Sequence, residues 1–544
     1  MTFETGDIMD SNSTDRVLIV GGGPVGFGLA IELALHGIES TIVERRPDMH
    51  NVPKGQNLTQ RTVEHFQRWG IDGALLDACT VPRTLWGGMT AYGTLVSGYH
   101  YDRLKREDVG QYYSAPNARL PQYCMEEVLR ARAAELPQIT VRLGWAAARI
   151  EQTDTGVDLE IRHEDSGERV ILRGAYLVGA DGSRSLVREQ AGIRQQVSDH
   201  DRRMALLVFR SRAMEELMRT KFPDKGFLNV LSPELEGYWQ FFGRVDMGDD
   251  ATPPSWFFHA PVDAARELGP EDFRRYIQKA VGQDIDVDLV YTGFWDLRFA
   301  VAETYRVGRV FIAGDACHSH PPYGGYGVNN GLEDARNLGW KLAAVIRGWG
   351  GEGLLDSYSY ERQPVFASVA SDFIERSIFD DRAFLAGFSP SHDLAGFEAQ
   401  WRTRAELAAE DVDRYAPHYA GSGIILGADG TTSAVGGHSF AARPGCHLAP
   451  VSTDEGVPLH RCSGSGFVLL AASEGVQADG LRQQVGANSI PVKLVAVGEA
   501  DRKRMRASLV LVRPDGFVAW TDAEGGDLRD ALAYATGWSV TRVD

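Results

Sequence analysis

The chain's first clear pattern is four consecutive apolar residues at 17–20, a short run that predicts a buried strand. Glycines at 21–26 break it as a turn. Apolar positions then recur at helical spacing from 25 to 36, and Gly37 stops the helix. Residues 40–43 are strand-like again and end on Glu44. Strand, glycine turn, helix and strand make the opening half of a doubly wound, Rossmann-like α/β fold. Helical spacing recurs at 59–69 and 125–135, and strand character at 170–178, 204–209 and 239–245. The stretch from about 200 to 295 is dense in Trp, Tyr and Phe and predicts an antiparallel sheet inserted into the first domain. Residues 309–312 form a further buried strand, followed by a Gly/Pro loop and a long amphipathic helix over 329–347. Residues 354–378 read as mostly helical. Beyond about 404, Gly/Ser-rich loops alternate with short strands such as 466–471 and 507–512, which predicts a separate C-terminal α/β domain.

Length and charge narrow the picture. At 544 residues the chain has room for about three domains. Its net charge of −18 argues against nucleic acid and anionic membranes as partners. No apolar run is uninterrupted enough to predict a membrane span. The first fifteen residues are polar, lack the pattern of a signal peptide and predict a frayed tail. Five scattered cysteines without a Cys-x-x-Cys pair fit a reducing cytoplasm and give no zinc ribbon or dithiol centre. The 60 glycines are in excess, and where they cluster the chemistry follows.

Three clusters matter. Gly21-Gly22-Gly23-Pro24-Val25-Gly26 fits G-x-G-x-x-G: Gly21 for the tight turn, Gly23 for close approach of a pyrophosphate, Gly26 for helix–strand packing. Glu44, ending the second strand, is placed to accept hydrogen bonds from a ribose. The second cluster, residues 176–188 with Asp181-Gly182, reads as a strand running into a helix start, capped by Ser183 or Ser185. The third runs from Gly314-Asp315 through Pro321-Pro322-Tyr323-Gly324-Gly325 to Gly327. There Asp315 faces a crevice at a strand's carboxyl end, and the amides of Gly327, Val328 and Asn329 open a helix able to stabilise negative charge. His318 and His320 flank Cys317 without further ligands at metal-site spacing, so no metal is expected. Nothing marks a base for Cys317 as a nucleophile.

Together the three clusters resemble the single-component FAD-dependent aromatic hydroxylases, typified by para-hydroxybenzoate hydroxylase and phenol hydroxylase. The resemblance extends through residues 331–342 and 358–362 and covers about 16–375. It implies FAD as cofactor, with NADPH or NADH as transient co-substrate and molecular oxygen as oxidant. It implies hydroxylation of an electron-rich aromatic, phenolic, amino- or hetero-, through a flavin hydroperoxide. Gly21, Gly23, Pro24, Val25 and Gly26 would hold the pyrophosphate, Glu44 and Arg45 the adenosine end, and Arg61 and Gln122 further parts of FAD. Asp181 would serve both FAD and the nicotinamide cofactor, Gly314 and Asp315 the ribityl chain, and Pro322, Gly325, Gly327, Val328 and Asn329 the flavin ring. Where the family has Pro-Arg-Ala, this chain has Pro53-Lys54-Gly55. Residues 443–445 and 511–520 resemble the thioredoxin-like C-terminal domain of the phenol hydroxylase branch, with packing or homodimerisation as its expected task.

The expected organisation is a tail (1–15), a discontinuous FAD domain (16–80, 110–195, 296–400), a substrate domain (81–109, 196–295) and the thioredoxin-like domain (401–544). For the base that activates the substrate, Tyr238, His259, Tyr291, Arg298 and Tyr323 are candidates that sequence alone does not rank. Two alternatives stay open. One is a Baeyer–Villiger or epoxidising monooxygenase acting on a polycyclic natural product. The other is a non-catalytic FAD-fold scaffold.

Overall fold

A computed structural model describes residues 16–263, 267–462, 464–472 and 490–538; the expected tail at 1–15 lies outside them. Its first sheet has five parallel strands in the spatial order Val310–Ile312, Tyr176–Gly179, Val17–Val20, Ser40–Glu44, Ile139–Leu143, with Arg306–Val307 antiparallel at one edge. All four residues of Val17–Val20 are buried, as a central parallel strand covered on both faces requires. The helix Pro24–Leu35 packs on the long helix Gly327–Ile346, where Gly28 and Gly339 permit close approach.

The second sheet has eight strands. Their order is His318–Ser319, Asp288–Ala302, Gln195–Arg210, Ser255–Asp263, Gln240–Arg244, Lys225–Leu231, Gly87–Tyr92 and His100–Arg103. All neighbours are antiparallel except Lys225–Leu231 with Gly87–Tyr92. Alternation along the strands separates two faces. Ala205, Leu207, Phe242, Trp256 and Phe258 turn toward the helices Arg212–Lys221 and Pro270–Val281. Met204, Leu206, Phe241, Phe257 and Leu297 turn the other way, into a core shared with Tyr323 and Tyr326 of the third glycine cluster. The edge strand His318–Ser319 belongs to that same cluster, so the loop after Asp315 is stitched directly to the aromatic sheet.

The last part carries a four-stranded sheet, Val492–Val497, Phe467–Ala472, Leu509–Val512, Val518–Thr521, with helices Glu499–Met505 and Leu528–Ala535. The boundary expected at residue 400 falls inside the helix Leu394–Arg414. Phe397 and Trp401 of that helix pack on Tyr92, Tyr99 and Tyr101 of the eight-stranded region, so it covers the aromatic sheet before the chain turns to the C-terminal part. Among the described residues, no helix is long and apolar enough to cross a membrane.

Candidate active site

The three glycine clusters meet. Gly21 has φ of 113°, and a Cβ there would stand 2.2 Å from the Ala180 carbonyl, so the first turn rests on the second cluster. A Cβ on Gly26 would lie 2.0 Å from the Gly21 carbonyl. Gly23 differs: no protein atom lies within 4 Å of its Cβ position, leaving backbone open for an approaching phosphate. The helix from Pro24 has no side-chain cap and no acidic residue in its first turn. Its free N–H groups and dipole are therefore available to an anion. Glu44 closes the loop: Oε2 accepts from the Gly22 N–H at 2.7 Å and Oε1 from the Arg46 N–H at 2.9 Å. Arg45 beside it is exposed. Arg130, which sequence reasoning missed, donates to the Gly22 carbonyl at 3.2 Å. It stands on the helix Gln122–Ala134, whose periodicity is legible but whose approach to Gly22 is purely tertiary.

At the second cluster, Asp181 turns inward. Its Oδ1 accepts from Ser185 Oγ at 2.5 Å and its Oδ2 from the Val187 N–H at 3.2 Å, while Ser185 caps the following helix. Burial raises the Asp181 carboxyl above the usual range, against these hydrogen bonds. Arg188 joins this cluster to the third, donating to the carbonyls of Ala316 (2.9 Å) and Ser183 (3.1 Å).

At the third cluster, Gly314 has φ of 61°. Its N–H donates to Asp334 Oδ2 at 3.1 Å, and Asp334 is held in turn by His318 Nε2 and Arg362 Nε, each at 2.7 Å. The His318 ring is thus committed to a carboxylate, and among the described residues no group of His, Cys, Asp and Glu could hold a metal ion. Burial drives the Cys317 thiol well up, the wrong direction for a nucleophile. Asp315, next to the tethered Gly314, is exposed and has no side-chain hydrogen bond from any described residue.

Beyond Pro322 and Gly325, the helix Gly327–Ile346 starts without a side-chain cap or an acidic first turn. Asn329 fixes that start. Its Oδ1 accepts from the Thr59 N–H (2.9 Å) and Thr62 Oγ1 (2.6 Å), and its Nδ2 donates to the carbonyls of Asn57 (2.8 Å) and Gly325 (2.6 Å). Gln122 Oε1 and the Val328 side chain each lie 3.6 Å from the Cβ position of Gly55, so the Pro53-Lys54-Gly55 segment faces this helix start. Gln122 also donates to Glu126 at 2.7 Å. These residues fit FAD: an open glycine, two uncapped helix starts and an acid at the end of the second strand are the parts a dinucleotide cofactor needs. All three nitrogens of Arg61 are engaged instead at the junction with the C-terminal domain, by Glu333 (3.0 Å), Glu64 (3.4 Å) and the Asp515 carbonyl.

The five base candidates separate. Tyr238 is buried beneath the guanidinium groups of Arg202 and Arg382. Tyr323 stacks on Trp239 at 4.6 Å and its hydroxyl accepts the Trp239 N–H at 3.0 Å. Arg298 donates to the Ser183 carbonyl at 3.2 Å, beside the second cluster. Tyr291 is half-buried, edge-on to His50. His259 is 2% exposed, stacks on Phe241 at 4.3 Å, and meets Trp295 and Phe257 edge-on at 5.0 and 5.1 Å. Its Nδ1 has no hydrogen-bond partner, and desolvation pushes the imidazole down to about 3, so it is neutral near pH 7.

The C-terminal domain reaches the same helix through buried charge. Glu361 accepts from Arg513 (2.6 and 2.9 Å), Lys341 (2.7 Å), Asn337 (2.8 Å) and Ser422 (2.7 Å), and Arg513 also pairs with Asp515. This gives the domain an intramolecular packing task.

Known proteins agree with this architecture. A family described as "FAD binding domain" matches residues 14–372, and one described as "Aromatic-ring hydroxylase, C-terminal" matches 442–538. A 4-methyl-5-nitrocatechol 5-monooxygenase from a Burkholderia species is 32% identical over 93% of each chain. A rifampicin monooxygenase from Streptomyces venezuelae is 30% identical over 96% of this chain and 98% of its own. The crystal structure of the flavin-dependent monooxygenase PieE, in complex with FAD and substrate, superposes with a TM-score of 0.82. It is 25% identical and covers 96% of this chain and 99% of that one. The chain belongs to the FAD-dependent aromatic-ring hydroxylase family and is a monooxygenase that uses FAD and NAD(P)H.

Proposed function

We propose that the substrate is an electron-rich aromatic bearing an ionisable hydroxyl, bound between the uncapped helix start at Gly327 and the aromatic face of the eight-stranded sheet. His259 would accept a hydrogen bond from that hydroxyl. The observation that carries this reading is the unpartnered Nδ1 of a buried, neutral imidazole on that face. A buried polar atom without a partner is costly, and one in a site is explained when the ligand supplies the missing hydrogen bond. Phe241 links His259 to the flavin loop, lying 4.3 Å from the imidazole and 6.3 Å from the Tyr323 ring. Trp295, Tyr291 and His50, less buried, mark the open margin of the face.

When held by Gly21, Gly23, Gly26, Asp181 and Asp315, FAD would supply the redox chemistry, with hydride from NAD(P)H in and one oxygen atom of dioxygen out to the ring, the other leaving as water. The protein's residues have the other tasks. The Gly327 helix start stabilises negative charge at the crevice. The aromatic face excludes water. The neutral His259 accepts a hydrogen bond from the hydroxyl at Nδ1, which orients the ring and raises its electron density toward an electrophilic oxygen donor. The few, widely spaced cysteines support a reducing, cytoplasmic setting.

The test is NADPH oxidation stimulated by a panel of phenols and naphthols, with product mass, in wild type and the His259→Phe and His259→Gln variants. The reading expects a product heavier by one oxygen with its ring intact. It expects kcat to fall about a hundredfold in His259→Phe, with partial recovery at high pH where the substrate ionises unaided. Ring expansion to a lactone, or full activity in both variants, would overturn it.

A further inference from the structure

The flavin crevice is not the only opening beside the helix Gly327–Ile346. A cavity of about 400 Å³ lies where the flavin domain and the adjoining segment 104–113 meet the C-terminal domain. At 3.6 residues per turn the helix start presents two sides. Gly327, Val328 and Gly331 are on one: Val328 faces Gly55, and Gly331 faces Val25 and Gly314. Tyr326, Asn329, Asn330 and Glu333 are on the other and line the cavity. The cavity therefore lies across the helix start from the side that faces Gly55, Val25 and Gly314.

Its walls have a distinct chemistry. Three buried or half-buried arginines line it. Arg61 is neutralised by Glu333 and Arg362 by Asp334. Arg106 is not. It is 5% exposed, donates to the Gly324 carbonyl at 3.0 Å and faces the Asn57 amide oxygen at 3.2 Å. No carboxylate among the described residues comes within ion-pair distance of it. A guanidinium buried among neutral acceptors alone is costly, and an anion in the cavity would supply the missing counter-charge. Flat faces surround the space. Tyr112 stacks on His438 at 5.2 Å, Tyr113 on His447 at 5.2 Å, and Tyr326 packs on Tyr415 at 4.6 Å. Asp429, the remaining carboxylate on the lining, is exposed at the rim.

We propose that this interdomain cavity is a second ligand site, for a planar aromatic anion of one or two rings. Its volume lies within the range of small-ligand pockets. The anion pairs with Arg106, and its rings lie against the tyrosine–histidine walls. Because the walls come from both domains, a bound ligand ties the C-terminal domain to the flavin domain.

The probe is 2-naphthoate, titrated calorimetrically into FAD-loaded protein, with 2-naphthylmethanol as the neutral isostere. The proposal expects one naphthoate site, about tenfold weaker binding of the alcohol, and a rise in Tm with naphthoate. Ala441→Trp fills the cavity from the C-terminal side, away from the flavin crevice. It should abolish the binding while leaving flavin content and basal NADPH oxidation unchanged. His259→Trp, on the aromatic sheet, should leave naphthoate binding intact. Absence of binding at millimolar naphthoate, equal affinity for the alcohol, or binding that survives Ala441→Trp and is lost in His259→Trp would each overturn the proposal. The readout is binding and not turnover, so it stands apart from the hydroxylation test.

Discussion

Asn329 Oδ1 accepts the backbone N–H of Thr59 at 2.9 Å, across 270 positions of sequence. With its contacts to Thr62, Asn57 and Gly325, this one amide uses both donors and both acceptor sites. It locks the start of the Gly327 helix against the segment leading from Lys54 into the helix Gln60–Arg68. Asn329→Ala would strand the Thr59 N–H and the Asn57 carbonyl, at about 1–3 kcal/mol each. Flavin fluorescence should show FAD affinity at least about tenfold weaker, with a lowered Tm. Unchanged affinity would mean that the helix start does not contribute to the cofactor site.

Gly23 and Gly26 are predicted to fail differently. Gly26→Ala places a Cβ 2.0 Å from the Gly21 carbonyl and should destabilise the apoprotein itself. Gly23→Ala meets no protein atom, and Gly23 has an ordinary φ of −84°. Its apoprotein should melt like wild type, yet bind FAD poorly, because the added methyl occupies space a phosphate needs. Thermal melts with and without FAD distinguish the two.

His259 makes stability pH-dependent. Its folded pKa is about 3 against an ordinary 6.5, so between these values the unfolded chain binds the extra proton. The contribution is fully present above pH 6.5 and is lost progressively as pH falls toward 3. At pH 5 it amounts to about 2 kcal/mol of lost stability. His259→Phe should remove this acid sensitivity, visible in denaturant melts at pH 7 and 5.

The Arg513–Glu361 pair should hold the domains together. Both side chains are fully buried, and Arg513→Met leaves Glu361 with Lys341 as its one cation. Breaking such a pair costs about 3–5 kcal/mol. The variant should melt several degrees lower and release FAD more readily, since the same pair braces the helix Gly327–Ile346. Equal stability would mean the junction does not carry the domain.

Local pattern made much of this legible. The glycine turns, the parallel strands and the long helix follow from apolar runs and breakers, and the family resemblance of the three clusters implies FAD before any geometry. Partners were not legible. Nothing near Asp334 in sequence indicates that it holds Gly314 and His318, because the chain folds back 20 and 16 positions to bring them together. Arg61 occupies a family position, yet its partners Glu333 and Asp515 come from distant segments. In sequence His259 is one of five candidates, four in or near the aromatic segment and Tyr323 in the flavin loop; strand alternation turns it, with Phe241 and Phe257, toward that loop while Trp256 and Phe258 turn away. Burial and the unpartnered Nδ1 that single it out are tertiary facts.

The central claim is that this protein inserts one atom of dioxygen into an aromatic ring. The most direct measurement is turnover of an accepted phenol under ¹⁸O₂ with NADPH and FAD-loaded protein, followed by product mass spectrometry. One ¹⁸O atom per product molecule, in an intact ring and tied to NADPH consumption, is the predicted result. Product oxygen drawn from water, or NADPH consumption with every phenol left unchanged, would contradict it.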